Sequence, residues 1–118
     1  MKVSLGEVYM STPVMNKLIE APLSAKLSFR LARVMREMND ALKTLEEERT
    51  KLIKKFGKDN GDGSIAVTEE NKNLFLEEFN TLLDEEIETS WDKIEPEVLG
   101  DTPLSVADVS KIGFLFKQ

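Results

Sequence analysis

The sequence predicts a mainly α fold in one domain, residues 1–118: a long antiparallel helical hairpin with short N- and C-terminal helices and a small two-stranded β element. Three observations predict it. From Ser24 to Gly57 the chain has no Gly or Pro, so one helix of about 32 residues, roughly 48 Å, can run uninterrupted. Along it Leu27, Leu31, Val34, Met38, Leu42, Leu45, Leu52 and Phe56 recur at near-heptad spacing, with Met35 and Ile53 beside them, the stripe a long partner helix needs. After a Gly-rich turn, Phe75, Leu76, Phe79, Leu82 and Leu83 repeat the pattern over a shorter segment.

The remaining elements follow in chain order. Lys2 to Leu5 reads as a short strand. Ser11-Thr12-Pro13 places a capping residue before Pro, which suits the first turn of a helix carrying Val14, Met15, Leu18 and Ile19 and ending near Ala21-Pro22. Ser24 caps the long helix, which ends at Gly57. Arg49 interrupts the apolar stripe and reads as a boundary residue whose stem packs while its head reaches water or a carboxylate. Thr68 before Glu69 and Glu70 predicts the start of the third helix, which runs to about Asp84. Because that helix is about half as long as the second, it covers only the C-terminal half of the stripe. Leu27 to Met38 must then meet the N-terminal helix, the C-terminal segment or another subunit, and a homo-oligomer is the expectation. Ile87, Thr89 and Trp91 alternate with Glu88, Ser90 and Asp92, as a half-buried strand does, and can pair with Lys2 to Leu5. Ser105 with Asp108 resembles a capping box for a last helix leading to Gly113-Phe114-Leu115-Phe116.

Composition excludes much chemistry. The chain has no His and no Cys, which removes disulfides, imidazole and thiolate metal sites and every Ser-His or Cys-His pair. No phosphate loop, nucleophile elbow or Asp-rich metal motif is present, so no enzyme, cofactor or metal is expected. Runs such as Glu46-Glu47-Glu48 and Asp84-Glu85-Glu86 select no catalytic pair and read as solvated surface. No apolar run approaches a membrane span, and the start lacks a signal-peptide layout, so an intracellular, reducing setting is expected. The net charge of −6 divides unevenly: residues 1–58 hold 12 basic and 7 acidic residues, net +5, and residues 59–118 hold 4 and 15, net −11. Such a field disfavours duplex nucleic acid, while the two halves can attract each other within or between chains.

Two motifs invite functional readings. Lys58 to Glu69 resembles a calcium loop with Asn60, Asp62, Gly63 and Glu69 in register, but its first ligand position holds Lys58, a cation. The segment reads instead as an Asn-Gly and Asp-Gly turn, the tip of a small hairpin. On the long helix, Lys26, Arg30 and Arg33 rise at i, i+4, i+7 from one stripe, with Arg36 at its edge and Phe29 between them. Guanidinium groups beside an aromatic ring suit a nucleotide or other planar anion, since phosphate pairs with Arg and a base stacks on the ring. The competing reading is a solvated face with Arg33 paired to Glu37, Arg36 to Asp40, and Phe29 tucked under the N-terminal helix. Trp91 reads as core.

The opening KVSLGEVY, the stretch LSAKLSFRLARVMREMNDALKTLEEERTKLIKKFG, the Gly-Asp-Gly turn, EENKNLFLEEFNTLLDEEIE and the closing PLSVADVSKI together resemble the small uncharacterised proteins of tailed bacteriophages. The resemblance implies a phage origin, a helical hairpin carrying small strands and residence in the cytoplasm of the infected host. It leaves two functional classes. One is an oligomeric binding protein directed at the host, such as a counter-defence sponge that sequesters a nucleotide immune signal, or a binder of a host protein. The other is a virion or tail-assembly component.

Overall fold

The computed structural model describes residues 1–117. Its elements are β1 (Lys2–Ser4), α1 (Leu5–Glu20), α2 (Ala25–Phe56), β2 (Gly57–Asp59), β3 (Ile65–Val67), α3 (Lys72–Leu83), β4 (Glu86–Glu88) and α4 (Val106–Ile112). Among the described residues, four α-helices and two small antiparallel strand pairs make the fold mainly helical. β1 pairs with β4 with Val3 opposite Ile87, so the strand pairing expected from the alternation at 87–91 forms. Beyond Glu88, Met1 and Thr89 extend it through reciprocal backbone bonds at 2.8 and 2.9 Å.

α2 forms where its sequence places it. The Ser24 hydroxyl accepts from Leu27 N–H, and the helix stops at Gly57. β2 and β3 then close the hairpin around Gly61 and Gly63, which sit at φ 89° and 90°, a region that only Gly enters freely. Asp59 Oδ1 accepts from Gly61 N–H at 2.7 Å, and Asp62 Oδ1 accepts from Ser64 N–H at 2.9 Å. The Ser64 hydroxyl and backbone bonds hold the Asp62 carboxyl below its usual range. These carboxylates organise the turn.

Two expectations are corrected. α1 begins at Leu5 rather than near Ser11, and Pro13 lies inside it. The start is fixed by a capping box in which Ser4 Oγ accepts from Glu7 N–H at 3.0 Å and Glu7 Oε1 accepts from Ser4 N–H at 2.9 Å. Pro13 deprives the Tyr9 carbonyl of its helical donor, a defect of roughly 3 kcal/mol. Burial of Val8, Val14, Met15 and Leu18, at about 1.5–3 kcal/mol each, outweighs it. α3 begins at Lys72 rather than Glu69, and Thr68 does not cap it. Asn71 occupies the cap position, yet its amide donates instead to the Phe56 carbonyl at 3.2 Å and ties the two helix ends together.

The long stripe is covered from two of the directions expected for it. Leu27, Leu31, Val34 and Met38, the half expected to lie beyond the reach of α3, form the main core with α1, Trp91, Ile94, Ile112, Leu115 and Phe116. The C-terminal segment closes over them: Ile94 N–H donates to Leu115 and Lys117 N–H to Ile94, at 2.8 and 2.9 Å. Lys17 on α1 clasps Asp108 on α4, at 3.0 and 2.8 Å to the two carboxylate oxygens. Further along, Leu45 joins a smaller cluster with Leu5 and Ala41, covered by Phe79, Leu82 and Leu83. Phe79 stacks on Phe75 and meets the edge of Tyr9.

Candidate functional site: a basic cleft beside the long helix

The five candidate residues occupy the first turns of α2, whose opposite face is pinned by Leu27, Leu31 and Val34 in the core. That anchoring decides which side chains point outward. The structure brings two of the five, Arg30 and Arg33, to one cleft of about 190 Å³, whose other walls are Val34, Ser90, Trp91, Asp92 and Ile94. Lys26, Phe29 and Arg36 are exposed outside it. Phe29 is 76 % exposed, so it does not tuck under α1.

The expected ion pairs of this face do not form. Glu37 reaches across to the segment after β4, where its two oxygens accept from Ser90 N–H at 3.0 Å and Ser90 Oγ at 2.8 Å. This double contact fixes the turn carrying Trp91 and leaves Arg33 without an intrachain carboxylate. Among the described residues, Lys26, Arg30, Arg33 and Arg36 make no salt bridge. Trp91 is core, as expected, but its buried indole N–H has no acceptor. A buried unpaired donor costs roughly 1–3 kcal/mol, and with its nitrogen closed off from solvent this one is not open to a ligand in the cleft.

Charge reaches the cleft from a third element. Lys117 is bonded to Glu95 at 2.7 Å, and that hydrogen bond and Glu95's charge hold its ammonium above the usual lysine range, with Arg30 opposing and Asp92 assisting. Arg30, Asp92 and Lys117 therefore share one electrostatic neighbourhood. The cleft offers guanidinium donors and one carboxylate acceptor, a set that recognises a phosphoryl or carboxylate group with a neighbouring hydroxyl or amine. Its volume equals about six waters at roughly 30 Å³ each. A phosphoryl group fits inside, while a whole nucleotide would extend outward.

Ser90, Trp91, Asp92 and Lys117 were not singled out by the sequence as site residues; they lie about 60 to 90 positions from Arg30 and carry no motif. A second concavity of about 710 Å³ lies between α1 and α2, lined by Tyr9, Met10, Pro13 and Leu42 and by the charged side chains Lys43, Glu46, Arg49 and Lys111. Among the described residues no three acidic side chains converge on a possible metal position, and no helix is long and apolar enough to cross a membrane. No protein-family model, curated protein or solved structure matches the chain.

Proposed function

We propose that this chain is a non-enzymatic, phage-type binding protein that holds the phosphate of a nucleotide-like ligand in the Arg30–Trp91 cleft. Its setting is the cytoplasm of the infected host, and its role is to sequester a nucleotide immune signal. The observation that carries the reading is the convergence of two arginines that have no ion-pair partner, Arg30 and Arg33, on one cleft walled by Trp91. The scaffold is read as a long antiparallel hairpin of α2 and α3, working as a homo-oligomer. Phe29, Lys26 and Arg36 then form an outer rim: the ring stacks on a base left outside the cleft, and the cations screen further phosphates.

The test is a panel of cyclic oligonucleotides and ADP-ribose derivatives, scanned by thermal shift and measured by calorimetry. Charge-assisted contacts to phosphate are worth about 1.5–3 kcal/mol each, so Arg30→Glu should weaken binding well over tenfold with helicity retained. Phe29→Ala should cost roughly 1–3 kcal/mol if the base stacks there. No binder in the panel would refute the reading, and a binder indifferent to Arg30→Glu would refute the site. The α1–α2 groove favours a second reading, an assembly or other protein-interaction component; its apolar walls, with Lys43 and Lys111 beside the paired Arg49 and Glu46, suit an acidic, apolar-faced segment.

A further inference from the structure

The two walls of the basic cleft have opposite hydrogen-bonding character. α2 contributes Arg30 and Arg33, whose guanidinium groups donate and never accept. The facing wall carries Ser90 and Asp92, and Glu37 settles what Ser90 offers there. A carboxylate has no hydrogen to give, so the Ser90 hydroxyl donates to Glu37 at 2.8 Å while Ser90 N–H donates to its other oxygen at 3.0 Å. Both polar hydrogens of Ser90 are thereby spent, and its hydroxyl has only lone pairs left for the cleft. The Asp92 carboxylate accepts and has no salt-bridge partner among the described residues. Between them the Trp91 nitrogen is closed off. One wall therefore donates and the other accepts.

A bare anion satisfies the first wall and is repelled by the second. A terminal phosphate carries about −1.5 to −2 charges at neutral pH, and its charge beyond the first would face Asp92, whereas a phosphodiester carries a single charge. To satisfy both walls a ligand must bring an anionic group to the arginines and a neutral donor to Asp92 and Ser90. Volume limits how far apart these can lie. A cleft of about 190 Å³ holds a phosphoryl group and its immediate neighbours, so the donor must sit on the carbon next to the one bearing the phosphate. Ribose has that layout when its phosphate is on the 2′ or 3′ oxygen and the other hydroxyl is free. A phosphate on the 5′ oxygen lies several bonds from either hydroxyl, and deoxyribose lacks the adjacent hydroxyl altogether.

We infer that the wall formed by Ser90 and Asp92 reads a ribose hydroxyl, with Asp92 the specificity-determining acceptor, so that the cleft selects a ribonucleotide phosphodiester over its deoxyribonucleotide counterpart and over a terminal 5′ phosphate. The inference rests on the ligand reading above and narrows it. Among the nucleotide classes named there, it favours cyclic oligoribonucleotides, whose linkages leave a hydroxyl beside each phosphate, over ADP-ribose, whose phosphates sit on 5′ oxygens.

The experiment titrates the full chain with an adenine diribonucleotide, with its 2′-deoxy counterpart and with adenosine 5′-monophosphate. Binding is read by calorimetry and by the fluorescence of Trp91, which walls the cleft. The diribonucleotide should bind about tenfold tighter than the deoxy form, the ratio expected of one hydroxyl donating to a carboxylate, and tighter than the monophosphate. Asp92→Asn should shrink that ratio by roughly threefold or more, since a neutral acceptor makes the weaker bond; a merely structural role would weaken both dinucleotides and leave the ratio unchanged. Arg30→Glu should abolish binding of both. Equal affinity for the two dinucleotides, a ratio that survives Asp92→Asn, or a monophosphate bound as tightly as the diribonucleotide overturns the inference while the ligand reading stands. Binding of neither dinucleotide also overturns it, and the ligand reading falls with it only where the wider panel is empty too.

Discussion

Replacing Leu45 by Ala tests how the second half of α2 is held. Leu45 is 2 % exposed, and the change deletes three carbon atoms, roughly 2.4 kcal/mol at about 0.8 kcal/mol each. A rigid site would add a cavity cost of about 24 cal/mol per Å³. This site can relax, because among the described residues its cluster holds two other buried ones, Leu5 and Ala41, and Leu45 also lines the open α1–α2 groove. Half-buried Phe79, Leu82 and Leu83 can settle into the gap and water can enter from the groove, which keeps the total near 2–3 kcal/mol, at the low end for Leu→Ala. Leu115, fully buried in the larger cluster, has no such relief, and Leu115→Ala should cost about 3–5 kcal/mol. Urea unfolding at fixed protein concentration measures both. Far-UV circular dichroism follows the helices, while Trp91, the sole tryptophan, reports the main core by fluorescence. The melting temperature of Leu45→Ala should fall by roughly 8–12 °C at about 4 °C per kcal/mol. A loss below about 0.5 kcal/mol, or one larger than that of Leu115→Ala, would refute this account of the packing.

Two further substitutions probe other contacts. Hydrogen bonds from Lys17 and then from Ser105 N–H hold the Asp108 carboxyl below its usual range, so the unfolded chain takes up its proton at higher pH than the folded one. The clasp therefore stabilises the fold above the unfolded value near 3.9 and is lost as pH falls through the lower folded value. Asp108→Asn should lower the melting temperature at neutral pH, and the difference from wild type should vanish in strong acid; an equal deficit at every pH would refute the charge argument. At Gly57 a Cβ would collide with the Ile53 carbonyl oxygen and come within 2.6 Å of Ile65 Cγ2. Gly57→Ala should cost about 1–3 kcal/mol and speed amide exchange across 57–67, whereas unchanged exchange would mean the turn relaxes freely.

The sequence by itself determined what is local. Ser24 and Gly57 mark the ends of α2 because a cap, a 3.6-residue period and the absence of breakers act within a few residues. Alternation at Ile87 and Thr89 marked the strand that pairs with β1, and Asn-Gly and Asp-Gly marked the hairpin tip. The capping box of Ser4 and Glu7 was equally readable, but Pro13 pointed to a later start for α1, because only the apolar contacts of Val8 to Leu18 make an internal proline tolerable. Tertiary structure alone decided what covers the N-terminal half of the α2 stripe: of the covers that the sequence allowed, α1 and residues 91–116 meet it. It also decided the partner of Glu37. An i, i+4 rule gives that carboxylate to Arg33, and the fold gives it to Ser90, 53 residues away. The basic stripe was legible because helical spacing is a property of the sequence, whereas the cleft was not, since its indole and its bare arginines exist only once distant segments are packed together.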